Sequence, residues 1–218
     1  MVLFIQNLWQ DTSLYFCWLI AMLFSSCLHE YIHTKVTLRM NESQALIRGT
    51  FTLNPLEIYD KLALFCLAIF GIIWGIPPVR TDMLKSYRRG AVISAAGPLL
   101  NFALAFGFAF LIFICLQFMI NSMGRQIFDI YIKFLIVGCR VNCLLIVLNL
   151  LPIPGLDGWG ILEAFFEPAR NLDFTKRNII TFTAILLLWA TPVANIFYRL
   201  TEIIFYIVNL PFVKCLSD

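Results

Sequence analysis

The chain has 218 residues, of which 61% are hydrophobic and only 13% are charged, and its net charge is +3. A soluble domain typically has about 25% charged residues. The composition therefore excludes an ordinary soluble protein and indicates a polytopic membrane protein with one compact helical domain. The basic residues are dispersed and form no stripe, so we expect no nucleic acid as a partner.

The first apolar stretch begins at Leu14 and leads into a group of ionisable residues. It is apolar as far as Leu28 apart from two serines. Together with the residues up to His33 it is long enough for one membrane crossing. No Lys or Arg precedes Lys35, so no signal-peptide start is predicted and we expect this span to be retained.

The two histidines of the chain both lie at the end of this stretch, in the pattern H-E-Y-I-H at positions 29–33. The spacing places both imidazoles on one helix face, one turn apart. In the H-E-x-x-H pattern the histidines bind zinc and the glutamate is the general base towards water. His29 and His33 are thus candidate zinc ligands and Glu30 is the candidate base. The alternative for Glu30 is a salt bridge to Lys35 on the same helix face.

A segment with strand-like composition follows the first span. Ala45 to Leu53 reads A-L-I-R-G-T-F-T-L, and its β-branched and aromatic residues predict a short strand or hairpin. An exposed edge of such a strand could pair with an unwound substrate segment. The alternative is ordinary loop packing.

The next two apolar stretches differ in their glycine and proline content. Leu62 to Val79 contains Gly71, Gly75 and two prolines, which favours a re-entrant or non-spanning element. Gly90 to Ile120 carries no charge and is longer than one crossing needs, so we expect it to tilt or to extend beyond the bilayer.

The last apolar stretches complete the predicted membrane domain. Phe134 to Leu151 carries Arg140, for which we predict a structural ion pair with Glu202. Ile179 to about Phe197 is the fifth stretch, and the tail from Ile203 to Val213 is either an interfacial helix or a further crossing. The expected fold is all-α, with five transmembrane helices, or six if the tail crosses, and a short β-hairpin or re-entrant element after the first helix.

A third zinc ligand is needed, because catalytic zinc usually takes three protein ligands and a water. The chain has no further histidine, so this ligand must be a carboxylate or a thiolate. Asp157 is the candidate, since it follows the fourth stretch in N-L-L-P-I-P-G-L-D-G, where prolines and glycines break the helix. The alternative is that Asp157 caps a helix beginning at Gly158.

Asp157 can meet the histidines only if the second apolar stretch does not cross the membrane. The third and fourth stretches then cross in opposite directions and return the chain to the side of His33. Basic residues support the same arrangement, because most of them fall on that side, which the positive-inside rule makes cytoplasmic. We therefore expect the N-terminus outside and the catalytic groups toward the cytoplasm. The basic residues assigned to the cytoplasmic side are Lys35, Arg39, Arg48, Lys61, Arg80, Lys85, Arg88, Arg89, Arg170, Lys176 and Arg177.

Three motifs in this order resemble those of the site-2 proteases, which are intramembrane zinc metalloproteases. They are H-E-x-x-H at 29–33, G-P-L-L-N at 97–101, and N-x-x-P-x-P-x-x-D-G at 149–158. The resemblance covers roughly residues 14–167 and is to the compact form without PDZ or CBS domains. It implies a single membrane-embedded protease domain over 1–218, with a catalytic core at about 14–167 and C-terminal helices at about 178–213.

The resemblance also implies roles for individual residues. One zinc ion would be held by His29, His33 and Asp157, and Glu30 would be catalytic. Asn149 and Asn101 would bind substrate or stabilise the oxyanion. The alternative for Asn101 is helix–helix packing beside the glycine at 97.

The predicted function is intramembrane zinc endopeptidase activity on peptide bonds in or near transmembrane segments, as in regulated intramembrane proteolysis. The expected partners are a transmembrane protein substrate and the lipid bilayer, in a prokaryotic cytoplasmic membrane. The sequence leaves the oligomeric state open. Two alternatives are a catalytically silent scaffold or chaperone of the same fold, and a zinc hydrolase that acts on another membrane substrate.

Overall fold

The computed structural model describes residues 4–46, 52–73, 84–119, 124–190 and 193–217. Seven longer helices, labelled here in chain order, form the body of the molecule, and one-turn helices remain unlabelled. They are α1 (Thr12–Arg39), α2 (Lys61–Phe70), α3 (Tyr87–Ile114), α4 (Arg125–Asn149), α5 (Asp157–Phe165), α6 (Phe174–Ala190) and α7 (Val193–Ser217).

The described residues are helical, as predicted, and the only strand-like feature among them is an isolated bridge at Leu46. The expected strand or hairpin at Ala45 to Leu53 lies mostly outside the described residues, since 47–51 are not among them. It therefore stays a prediction.

Four helices of the described part are long and apolar enough to cross a membrane. The expected count of five or six is not confirmed. The predicted fifth span, Ile179 to about Phe197, stays a prediction, because residues 191 and 192 lie outside the described part; its described residues belong to α6 and α7. The C-terminal tail, predicted as short, is part of the 25-residue α7. The four candidate spans are Thr12–Arg39, Tyr87–Phe118, Arg125–Asn149 and Asn195–Val213.

The helix in the second apolar stretch is too short to span a bilayer. α2 has 10 residues, which at 1.5 Å per residue gives about 15 Å against a hydrocarbon core of about 30 Å. It begins where the Asp60 side chain accepts a hydrogen bond from the Ala63 N–H at 2.7 Å, and it ends at Gly71, whose φ of 73° is left-handed. The rest of the predicted non-spanning element lies outside the described residues.

Ion pairs at the helix ends give the relative directions of the three central helices. Asp11, which caps the start of α1, lies 2.9 Å from Lys133 near the start of α4. Glu42, just after α1, lies 2.6 Å from Arg89 in the first turn of α3 and is 2% exposed. α1 and α4 therefore run in one direction and α3 runs in the other, which is the arrangement that brings Asp157 to the histidine end of α1.

Apolar side chains hold these helices together in two clusters. Between α1 and α4, residues such as Met22 and Val141 are fully buried. Between α3, α4 and α7, the cluster includes Ala105, Cys139 and Val208. Small residues at these contacts let the helix backbones approach closely, as is typical of membrane helices.

The predicted ion pair between α4 and α7 is confirmed. Arg140 Nε lies 3.3 Å from Glu202 Oε1. The Arg140 guanidinium also lies over the Phe205 ring, 4.9 Å from its centre. The pair links α7 to α4. Both residues lie within candidate spans, where an unpaired charge is costly.

Candidate metal centre

Irregular backbone between α4 and α5 brings Asp157 to the histidines. Gly155 has a φ of 94°, which favours glycine, and it allows the chain to turn back after α4. A Cβ at Gly158 would lie 2.3 Å from the carbonyl oxygen of Leu150, so only glycine fits this close approach. Asp157 is the first residue of α5, and the residue before it, Leu156, makes no side-chain cap.

Three side chains from two helices converge in the interior. Nε2 of His29 and Nε2 of His33 lie 3.0 Å apart. Asp157 places Oδ2 3.0 Å from the His29 nitrogen and Oδ1 3.2 Å from the His33 nitrogen. Both histidines are buried, and the Asp157 side chain is 15% exposed. The structure thus brings together the three residues predicted as metal ligands.

Hydrogen bonds on the far side of each imidazole fix its tautomer. Nδ1 of His33 lies 2.8 Å from the carbonyl oxygen of Ile93, which can only accept, so this nitrogen donates. Nδ1 of His29 lies 3.1 Å from Oδ1 of Asn101 and donates in the same way. In the neutral rings, both Nε2 atoms therefore carry lone pairs directed into the cluster.

The cluster is a candidate site for a metal cation. Three acceptor atoms face one another, and Oδ2 of Asp157 receives no hydrogen bond of good geometry from any described residue. Ligand atoms about 2.0–2.1 Å from a tetrahedral zinc ion would be about 3.3 Å apart, close to the 3.0–3.2 Å of the structure. The donor set of two imidazoles and one carboxylate suits zinc.

The carboxylate of this set is ionised at neutral pH. Burial by itself would raise the pKa of Asp157, but the charge of His33 and the contacts with both imidazoles outweigh it and lower the pKa to about 2. A metal ion needs the ligand in this deprotonated form.

Gly97 leaves the space that a metal ion would occupy. A Cβ built at Gly97 would lie 2.3 Å from Cε1 of His29 and 2.5 Å from Nε2 of His33. Any other residue at this position would push the imidazoles apart. The helix α3 therefore contributes bare backbone to the wall of the site.

Glu30 is half-buried on α1, one turn from Thr34, whose hydroxyl donates to the Glu30 carbonyl at 3.3 Å. Tyr59 follows the one-turn helix Pro55–Ile58, and the Glu30 carboxylate acts electrostatically on its phenol. Burial raises the pKa of Tyr59, and the negative charge of Glu30 raises it further. The charge of the candidate base thus acts on the buried phenol, and Glu30 directly follows His29 in sequence.

The two asparagines occupy different positions. Asn101 is 0% exposed, and its carbonyl oxygen is engaged with His29, so it orients a ligand where the sequence predicted contact with substrate. Asn149 is half-buried at the last residue of α4, just before the break that leads to Asp157. Substrate-binding roles for both residues stay predictions. The alternative that Asp157 caps a helix at Gly158 is not observed, because α5 already includes Asp157.

Sequence reasoning missed a second buried carboxylate on α5. Glu163 is 2% exposed and lies 2.7 Å from Arg177 of α6. It also accepts a hydrogen bond from the Trp159 indole at 2.9 Å. The available signal was an acidic residue besides Asp157 in the otherwise apolar sequence of α5, but the sequence does not say which of several arginines is its partner.

Comparisons with known proteins agree with this chemistry. A Bacillus subtilis protein named "Putative zinc metalloprotease YwhC" is 29% identical over 183 residues, covering 81% of each chain. Two proteins named "Putative zinc metalloprotease Rip2" are each 31% identical, one from Mycobacterium tuberculosis strain Erdman and one from Mycolicibacterium smegmatis. The matched region covers about two thirds, 66%, of the length of each Rip2 protein.

No family model and no solved structure matches the chain. The relatives nevertheless extend over 79–81% of it. The chain is a membrane protein that is similar, over most of its length, to proteins named as zinc metalloproteases.

Proposed function

We propose that the protein is an intramembrane zinc endopeptidase of the site-2 protease type. The observation that carries the proposal is the convergence of three potential ligand atoms from His29, His33 and Asp157, with separations of 3.0–3.2 Å. The relatives named as zinc metalloproteases support the same metal and the same reaction class.

A zinc ion held there would supply Lewis acidity, which lowers the pKa of water and polarises a peptide carbonyl. Glu30 accepts a proton as the water attacks the carbonyl carbon. It then delivers that proton to the nitrogen as the C–N bond breaks, which leaves a carboxylate and an amine. Asn101 and the Ile93 carbonyl hold the two imidazoles in orientation during this cycle.

The position of the cluster supports a substrate within the membrane. His29 and His33 lie inside α1, a candidate span, and Asn101 lies inside α3, another candidate span. A transmembrane helix engages its own amides in hydrogen bonds and must unwind locally before water can attack. A substrate peptide bond near the end of a transmembrane segment meets this need with the least unwinding.

The orientation of the site in the cell also belongs to this proposal. Placing the histidine end of α1 in the cytoplasmic half puts the pair of Glu42 and Arg89 at the cytoplasmic rim, and it puts Asp11 and Lys133 at the outer rim. Labelling of single cysteines introduced at positions 85 and 125 tests it. Labelling of both from the same side would contradict the proposal.

The main experiment compares the native protein with Glu30→Gln. The purified native chain is expected to hold about one zinc ion, and the variant is expected to keep the zinc and lose proteolysis. Because the substrate is unidentified, membrane proteomes of cells with each form are compared for accumulated transmembrane fragments. The matched control is Asp129→Asn, which changes an exposed carboxylate near the start of α4, far from Asn149 and Asp157 in the chain. This variant should cleave like the native protein.

Each outcome has a definite meaning. Full proteolysis by Glu30→Gln would exclude Glu30 as the base. A native chain with zinc but with a proteome identical to that of Glu30→Gln would favour a silent scaffold of the same fold. A native chain without zinc would remove the metal centre itself.

A further inference from the structure

A polar network lies behind the metal centre, on the side of α5 that faces α6. Its centre is the Glu163 carboxylate, which is 2% exposed. Oε1 of Glu163 accepts a hydrogen bond from the Trp159 indole at 2.9 Å and lies 2.7 Å from the Arg177 guanidinium. Burial of an ion pair costs free energy, so a pair that is retained here calls for a role beyond stability.

Arg177 joins several parts of the chain. Its Nε donates to the carbonyl of Leu172 at 3.0 Å, and a terminal nitrogen donates to the carbonyl of Arg170 at 3.4 Å. The guanidinium also lies 5.8 Å from the centre of the Trp159 ring. The planar group with five donors is suited to such multiple contacts, whereas a lysine is not.

Thr181 lies one turn after Arg177, so both side chains point to the same side of α6. Its hydroxyl is 2.9 Å from the carbonyl oxygen of Pro154 and 3.0 Å from that of Arg177. Pro154 belongs to the irregular segment just before Asp157. One face of α6 therefore contacts the chain on both sides of the proposed metal ligand.

A second arginine closes the far end of α5. Arg170 donates to the carbonyl oxygen of Glu163 and, at 2.7 Å, to that of Ala164, which are free carbonyls of the last helical turn. Its guanidinium lies 4.6 Å from the centre of the Tyr87 ring, at the start of α3. The helix α5 is thus held at its end as well as beside its start.

We propose that Arg177 and Thr181 form a clamp that positions Asp157 for metal binding. The clamp acts through the backbone of Pro154 and through Glu163, and neither residue touches the metal. Asp157 is the first residue of a nine-residue helix that follows irregular backbone, so contacts to both segments help to set the position of its carboxylate. The inference rests on the proposed metal centre and extends it to α6, which lies beyond the catalytic core predicted from sequence.

Two changes test the clamp without an unpaired buried charge. Thr181→Val removes only the hydroxyl, and Thr183→Val, at an exposed threonine two residues on, is its control. The double variant Glu163→Gln with Arg177→Met removes both charges of the buried pair. Its control is Asp173→Asn with Lys176→Met, which removes an exposed ion pair of 3.3 Å in the same region.

The measurements are the zinc affinity of the full chain in detergent, by competition with a chelator, and the absorption spectrum of the cobalt form. Both test variants are expected to bind zinc about tenfold more weakly, the lower range for loss of an outer contact to a metal site. Their cobalt spectra are expected to change, and both controls are expected to match the native protein. A variant that only unfolds more easily would keep the native spectrum in its folded fraction.

The opposing results distinguish a failure of the clamp from a failure of the metal centre. Native zinc affinity and an unchanged cobalt spectrum in Thr181→Val and in the double variant would overturn the clamp and leave the metal centre intact. A native chain that binds no zinc would overturn the metal centre and the clamp together.

Discussion

The two ends of α5 each carry a buried carboxylate, and their surroundings differ in kind. Asp157, at the start, faces two imidazole nitrogens that are acceptors in the neutral rings, and one of its oxygens has no hydrogen bond from the described residues. Glu163, six residues later, faces an indole N–H and a guanidinium, which are donors. The Asp157 side chain is 15% exposed and that of Glu163 is 3% exposed, so both are largely shielded from solvent and the kind of neighbour distinguishes them more clearly than burial does.

The difference lies in what each carboxylate still lacks. Glu163 is already paired, because its Oε1 accepts a hydrogen bond from the Trp159 indole and lies beside the Arg177 guanidinium. Asp157 and the neutral imidazoles direct lone pairs toward one another, an arrangement that a bound cation would stabilise. The number of hydrogen-bond donors around a buried acidic residue of a membrane protein therefore indicates whether that residue binds a metal or has a structural role.

The strongest test of this comparison exchanges the carboxylates for amides one at a time. Asp157→Asn should lower zinc affinity by more than the about 10–100-fold of an outer-contact loss, because it removes a ligand. Glu163→Gln should lower zinc affinity by only about tenfold, through the clamp, and its main effect should be to destabilise the fold by about 3 kcal/mol, since it leaves the partly buried Arg177 without its counter-charge. Zinc titration and thermal unfolding with and without zinc measure both effects.

Added zinc is expected to change the unfolding temperatures of the two variants differently. Added zinc should raise the unfolding temperature of the native chain and of Glu163→Gln, but not that of Asp157→Asn. If zinc stabilises Asp157→Asn as much as the native chain, the assignment of Asp157 as a ligand is wrong.

A substitution at Gly97 sharpens the comparison, because it places a Cβ in the space proposed for the metal ion. In Gly97→Ala the new Cβ would overlap His29 and His33 at 2.3–2.5 Å, so zinc affinity should fall by about 100-fold. Gly107→Ala in the same helix is the control, because a Cβ there meets no atom within 4 Å. It should leave zinc binding unchanged and stabilise the helix by about 0.5–1 kcal/mol. Equal zinc affinity in the two variants would mean that no ion occupies the space beside Gly97.

A smaller effect is expected one contact further from the ion. Asn101→Leu keeps the volume but removes the acceptor for the His29 Nδ1–H, so that zinc affinity should fall by about tenfold. Asn101→Asp keeps an acceptor and should retain most of the affinity. Chelator competition measures both, and a loss that is equal in the two variants would indicate packing as the role of this residue.

Much of the candidate site follows from the sequence, because its residues have few alternatives. The chain has only two histidines, and their spacing fixes their common helix face. Asp157 follows from the need for a third ligand and from the broken helix before it. The structure brings these three side chains together as the spacing and the crossing directions require.

The remaining features depend on packing that a single sequence does not encode locally. The contact between His29 and Asn101 joins residues 72 positions apart, and it requires the exact register of α1 against α3. The pair of Glu163 and Arg177 needs the return of α6 onto α5.

Another paired carboxylate, Glu202, is expected to show the smallest change in stability among these tests. It pairs with Arg140 at 3.3 Å, but the two side chains are 32% and 45% exposed, in contrast to 3% for Glu163. An exposed pair gains little, because its charges keep other partners. A double-mutant cycle with Arg140→Met and Glu202→Gln should therefore give a coupling free energy of about 0.5 kcal/mol in detergent. A coupling as large as that of the cycle between Glu163 and Arg177 would show that exposure does not decide the strength of these pairs, and that the depth of the pair in the membrane does.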